Sequence, residues 1–123
     1  MKKEPKILII EDDVATASLL VAILGQSGWD AIVAHSGEDA LGKLDQYGPD
    51  VVLLDLLLPG MNGFEVLKAV RKEKQYKKPV IILSNLSSDS DIRECFAQGA
   101  TDYFVKSLVG VSDITAILEK YKV

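Results

Sequence analysis

The chain has 123 residues, 48% hydrophobic and 26% charged, with a net charge of −4. That length suits one domain, residues 1–123, with a core of its own. The acidic balance, with no basic arm or stripe, argues against a nucleic-acid surface, and no apolar run nears the ~20 residues that span a bilayer.

The first apolar run is KILII (6–10), and it closes on Glu11, Asp12 and Asp13. Residues 14–27 then place Ala17, Leu20, Ile23 and Leu24 at helical spacing, with Gly28 to end the helix. A second run, AIVAH (31–35), precedes Ser36 and Asp39, which resemble a capping box opening helix 37–47. The third run, VVLLD (51–55), ends on Asp55. Asn62 with Glu65 repeats the capping signature before Phe64, Leu67 and Val70. PVIIL (79–83) ends on Ser84. Ser88 is expected to cap a helix carrying Ile92, Cys95 and Phe96 and stopping at Gly99. DYFVK (102–106) ends on Lys106. Ser112 is expected to cap the last helix, with Ile114, Ile117, Leu118 and Tyr121 on one face.

Several of these runs lack period-two alternation, which suits strands covered on both faces. Strand and helix alternate about five times with short loops. That order predicts an α/β fold with parallel strands, right-handed crossovers and helices on both faces. No internal repeat, linker or low-complexity segment interrupts it. The single cysteine, Cys95, cannot form an internal disulfide and reads as a small core residue in a reducing compartment. There is no signal-peptide pattern, and a cytoplasmic location is expected. The basic clusters KKEPK (2–6) and RKEKQYKK (71–78) read as solvated ends and loops. His35 reads as a surface residue, since no Cys or His cluster accompanies it. Trp29 and Phe64 read as packing residues.

In a parallel sheet the C-terminal ends of all strands share one edge, where ligands bind. Glu11, Asp12, Asp13, Asp55, Ser84 and Lys106 all fall there. If the first and third strands are neighbours, Asp55 lies close to Glu11 and Asp12, their backbones ~4.8 Å apart. A hard divalent cation relieves the repulsion, and Mg²⁺ suits oxygen donors. With a hydroxyl and an ammonium beside it, the cluster suits Mg²⁺-dependent phosphoryl chemistry. Each residue has a plainer reading. Asp12 or Asp13 fits a helix cap, and Asp13 is assigned one; Ser84 fits a loop; Lys106 fits any surface acid. Asp55 has the weakest alternative, because its flanks are apolar.

The motifs ILIIEDD, DVVLLDLLLPGMNGFEVLKAVR, PVIILS and GATDYFVK, in that order, resemble the receiver domain of bacterial two-component response regulators. The resemblance covers essentially the whole chain. It implies a flavodoxin-like (βα)5 sandwich with a five-stranded parallel sheet in the order 2-1-3-4-5. It implies that Asp55 takes a phosphoryl group from the phosphohistidine of a histidine kinase or phosphotransfer protein. It implies Mg²⁺ as cofactor, held by Asp12, by Asp55, by the Leu57 backbone carbonyl and, mainly through water, by Glu11. Ser84 and Lys106 match the family's hydroxyl and lysine, and Pro59 and Gly60 its tight turn. Tyr103 matches its switch aromatic, although a half-buried aromatic at a strand edge reads equally well from the residues alone. Phosphorylation then changes the face of the fourth helix, fifth strand and fifth helix, which an output partner reads. Such a domain is a signalling phosphoacceptor that catalyses only its own phosphorylation and dephosphorylation.

Two positions depart from the family pattern. Ser107 replaces the proline that usually follows the lysine in a cis peptide, and a trans peptide is expected, since cis costs ~2.5–4 kcal/mol without proline. Asn85 stands where a small residue is common. Leu57 and Leu86, two residues past Asp55 and Ser84, are apolar where the family flanks the path of the hydrolytic water, and slow autodephosphorylation is expected. The Arg/Asp/Glu pattern of the DNA-binding subclass dimer is incomplete, so a monomer or a weak phosphorylation-dependent dimer is expected. Neither direct nucleic-acid binding nor membrane binding is expected.

Three rival readings are weaker. A phosphohydrolase with an Asp nucleophile commonly carries a second Asp where Leu57 stands. A flavin or dinucleotide binder needs a glycine-rich loop, and EDDVATA places acids there. A pseudo-receiver is disfavoured because all the site residues are present.

Overall fold

The computed structural model describes residues 3–122; Lys2 of the first basic cluster lies outside them. The elements in chain order are β1 (Lys6–Ile10), α1 (Val14–Gln26), β2 (Asp30–Ala34), α2 (Gly37–Tyr47) and β3 (Val51–Leu54). They continue with α3 (Gly63–Lys68), β4 (Val80–Ser84), α4 (Asp89–Ala97), β5 (Asp102–Val105) and α5 (Val111–Glu119). Among the described residues the five strands form one parallel sheet in the order β2-β1-β3-β4-β5. The expected fold class and strand order are therefore observed.

Strand periodicity divides the core in two. Leu8, Ile10, Val52, Leu54, Val80 and Ile82 point to one face, against Ala40 and Leu44 of α2, Val66 and Leu67 of α3, and Cys95 of α4. Ile7, Ile9, Val51, Leu53, Ile81 and Leu83 point to the other, against Leu20 and Leu24 of α1 and Ile114 and Leu118 of α5. Both strand faces are covered, so the runs need no alternation with polar residues. Each fully buried Leu or Ile contributes about 1.5–3 kcal/mol. Trp29 is buried and Phe64 packs against the core from its edge, as expected.

Most helix starts follow the predicted caps. The side chains of Asp13, Ser36, Asn62 and Ser88 accept the N–H of Thr16, Asp39, Glu65 and Asp91. At Asn62 the capping box is complete. Helix α2 ends on Gly48, whose φ of +55° suits a residue without a Cβ.

Three features differ from expectation. Ser112 does not cap α5: the helix starts after Gly110, whose N–H donates to Asp113 Oδ2 at 2.8 Å. The Asp113 carboxylate, three residues on, thus bonds back to the N-cap N–H, whereas a serine N-cap would have accepted an N–H from inside the first turn. Phe96 is 46% exposed, because it follows Cys95 by about 100° around α4 and leaves the buried stripe. Residues Ala69–Glu73 continue α3 as a π-helical turn, with Lys74 N–H donating to the Ala69 carbonyl at 2.9 Å. Arg71 in this turn donates to the carbonyls of Gly99, Tyr76 and Lys78 at 2.8, 2.7 and 2.7 Å. It thereby fastens the turn to the N-terminal edge of the sheet.

Candidate functional site

The pairing of β1 with β3 runs from Ile7↔Val51 to Ile10↔Leu54, so Glu11 and Asp55 leave the sheet side by side. Asp55 N–H donates to the Ile10 carbonyl and Glu11 N–H to the Ala34 carbonyl, each at 3.0 Å. Backbone bonding thus carries both acids one residue past their strands. Glu11 and Asp55 are buried and Asp12 is exposed. One carboxylate oxygen from each of the three lies within 4.8 Å of the others.

Lys106 reaches this cluster from the end of β5. Its ammonium lies 2.8 Å from Asp55 Oδ2 and 2.5 Å from Glu11 Oε1. Three acids share one cation, so the rim keeps a surplus of negative charge. Burial raises the Glu11 carboxyl above its ordinary pKa, although hydrogen bonds from Lys106 and from the Asp13 N–H oppose this. Burial lowers the Lys106 ammonium, but its bonds to Asp55 and Glu11 outweigh burial and leave its pKa raised. Hard oxygen donors with surplus negative charge fit a hard divalent cation.

The structure brings Glu11, Asp12, Asp55 and Lys106 together, as the sequence predicts. Asp13 caps α1 and does not join them. Leu57 N–H donates to Asp55 Oδ1 at 3.0 Å, which orients the carboxylate. Ser84 ends β4 fully buried; its Oγ receives the Leu86 N–H at 3.4 Å, a bond within its own loop. Tyr103 is half-buried against the core, and its hydroxyl donates to the Leu86 carbonyl at 2.5 Å. Burial, with the charges of Cys95, Asp91 and Asp55 behind it, pushes the Tyr103 phenol up to about 12. His35 is exposed, and its Nδ1 lies 2.9 Å from the Glu11 carbonyl, a contact that requires a proton on Nδ1.

Gly63 supports the site in a way that the sequence reading missed. Its N–H donates to the Leu56 carbonyl at 3.0 Å. A Cβ there would lie 2.3 Å from Leu56 Cα and 2.7 Å from the Asp55 carbonyl oxygen. Only glycine lets α3 approach the loop that carries Asp55 so closely. The glycine of MNG is the visible signal, but its neighbour cannot be read from the chain. No peptide bond among the described residues is cis, so the bond from Lys106 to Ser107 is trans as expected.

A family model for the response regulator receiver domain matches residues 7–119. The chain belongs to this family. It is 38% identical over 101 residues to the transcriptional regulatory protein TrcR of Mycobacterium tuberculosis, covering 82% of this chain and 39% of that protein. It is 40% identical over 106 residues to the transcriptional regulatory protein AfsQ1 of Streptomyces coelicolor, covering 86% and 46%. This receiver domain thus spans less than half the length of these curated relatives. Among solved structures it resembles the chemotaxis protein CheY4 of Vibrio cholerae, with a TM-score of 0.88, 30% identity, and 95% and 98% of the two chains covered. It also resembles the BeF3-activated N-terminal receiver domain of RstA from Klebsiella pneumoniae, with a TM-score of 0.87, 32% identity, and 94% and 97% covered. The chain is therefore a signalling domain of a two-component response regulator, with an acidic cluster able to hold a metal ion. No described helix is long and apolar enough to cross a membrane.

Proposed function

We propose that Asp55 is the phosphoacceptor of this domain, that a histidine kinase or phosphotransfer protein is the donor, and that Mg²⁺ is the cofactor. The observation that carries the reading is the buried Asp55 carboxylate, held by Leu57 N–H and Lys106 among a surplus of acids. An Asp55 oxygen attacks phosphorus, the P–N bond of the phosphohistidine breaks, and the imidazole nitrogen leaves. Asp12, Asp55, the Leu57 carbonyl and, mainly through water, Glu11 would hold the cation, which when bound would offset charge on the phosphoryl oxygens. Lys106 offsets the remainder, and Ser84 donates its hydroxyl to a phosphoryl oxygen.

The phosphoryl group adds roughly −1.5 to −2 charge at Asp55. As Ser84 turns toward it, the Ser84–Leu86 loop shifts, and Tyr103 moves with the Leu86 carbonyl it is bonded to. The face of α4, β5 and α5 changes population accordingly, and an output partner or domain reads it. The relatives' names favour transcriptional output, exerted through a partner or a further domain rather than through nucleic-acid contact by this one. The domain works in the cytoplasm as a monomer or a weak phosphorylation-dependent dimer. The test is intact mass after incubation with acetyl phosphate and Mg²⁺. One phosphoryl group on the parent and none on Asp55→Asn supports the reading. Equal labelling of both overturns it.

A further inference from the structure

The pairing of β4 with β5 ends at Ser84↔Val105. Beyond that point the segments following the two strands carry Asn85 and Lys106, and one bond still joins them. Ser107 N–H donates to the Asn85 side-chain carbonyl at 2.9 Å. Ser107 sits in the short 3-10 turn Lys106–Leu108, which has no side-chain cap of its own. The first N–H groups of such a turn lack partners within it, so a side chain from another loop fills the vacancy. Asn85 is therefore a cap supplied from the loop that follows the neighbouring strand. It acts one residue after Ser84 on one side and one residue after Lys106 on the other.

The position matters because of what Lys106 does. Its ammonium bonds to Asp55 and Glu11 from the end of a long flexible side chain, and Lys106 is only partly buried. The turn carries its Cα, so the position of the turn sets the point from which the ammonium must reach both carboxylates. We propose that Asn85 is a positioning residue: by holding Ser107 N–H it fixes the Lys106–Leu108 turn and so aims the Lys106 ammonium at Asp55. Asn85 itself is exposed and its recorded bond goes to Ser107, so it acts through Lys106. For its rate readout this inference rests on the phosphoacceptor reading of Asp55; for its spectroscopic readouts it does not.

The experiment compares the parent with Asn85→Ala and Asn85→Asp, each also in a Lys106→Met background. Three quantities are followed: Ser107 amide exchange, the ¹⁵N signal of the Lys106 ammonium, and the rate of Mg²⁺-dependent labelling by acetyl phosphate. In Asn85→Ala, Ser107 exchange should rise and the Lys106 signal should move toward those of the exposed lysines. Labelling should slow roughly three- to tenfold, the scale of one net hydrogen bond. Asn85→Asp keeps the acceptor and should restore slow Ser107 exchange, while its added charge acts on the Lys106 ammonium directly. In Lys106→Met, Asn85→Ala should leave the residual rate unchanged, whereas a merely structural role would slow it again. A Lys106 signal and a labelling rate that stay fixed while Ser107 exchange rises overturn the proposal. If the parent takes no label, the phosphoacceptor reading falls, and the Lys106 signal alone decides this one.

Discussion

Two aspartates bracket β3, and their surroundings differ. Asp50 precedes the strand. Its Oδ2 accepts the Lys6 N–H at 2.8 Å, and its Oδ1 lies 3.2 Å from the Lys78 ammonium. Around it the Arg71 guanidinium is shared among three carbonyls and Thr101 Oγ1, and the Tyr76 hydroxyl donates to the Pro49 carbonyl. Asp55 follows the strand. There one ammonium is divided between two buried acids, with a third close by. At the first edge charges meet partners and the result is structure. At the second, negative charge exceeds its compensation, and the excess is available to a cation or to chemistry.

The largest effect should come from exchanging the fates of these two residues. Asp55→Asn should lose all phosphoryl labelling by mass and keep its far-UV spectrum. Asp50→Ala should keep its labelling and lose about 1–3 kcal/mol of stability in urea, because a backbone N–H and an ammonium lose their acceptor. If Asp50→Ala abolished labelling in a folded protein, the division between the two edges would be wrong.

Gly63→Ala sharpens the comparison, since it presses on the Asp55 edge alone. The methyl group would meet backbone rather than a yielding side chain. Overpacking of this kind should cost about 3 kcal/mol. Because the Asp55–Leu56 backbone must shift, labelling should slow as well. A variant as stable as the parent would mean that α3 retreats without cost.

Much of this was legible in the chain. Continuous Val, Ile and Leu runs mark strands buried on both faces, and the residue closing each run marks the edge where it emerges. Asp12, Asp55 and Lys106 follow from that reading together with the family motifs. What could not be read depends on distances between loops. The Asn85–Ser107 bond joins residues 22 positions apart, and neither signals the other. The contact at Gly63 is with backbone, which has no sequence signature. Ser84 was read as a rim donor from its place at the end of a run, but the bond its Oγ receives from Leu86 N–H within its own loop depends on a loop path that no residue pattern carries. Gly110 offered no capping side chain, and Asp113, three residues on, was the signal to weigh.

A third prediction uses the surplus charge directly. Mg²⁺ should raise the melting temperature of the parent, since only the folded chain gathers the three carboxylates. At ten times the dissociation constant the gain is about 1.4 kcal/mol, or roughly 3–6 °C for a domain of this size. Asp12→Ala should lose the shift, while Asp50→Ala should melt lower and keep it. A shift that persists without Asp12 would place the cation elsewhere.

The smallest effect concerns how long a phosphoryl group stays. Its loss requires a water to reach phosphorus in line with the Asp55 oxygen. Leu57 is held beside that carboxylate by its own N–H, and the residue is 51% exposed. Leu86 sits on the Ser84 loop, partly buried against the core. Neither side chain can orient a water through a hydrogen bond, and both can exclude one. We therefore expect slow autodephosphorylation, ended in practice by a phosphatase or by return of the group to a kinase. Leu86→Glu, alone or with Leu57→Asn, should speed decay severalfold, up to about tenfold, which corresponds to about 1.4 kcal/mol of barrier. Decay is followed by intact mass or by phosphate release. If the parent already decays as fast as these variants, the leucines do not control the lifetime, and the open rim at Asp55 admits water as readily as it admits a cation.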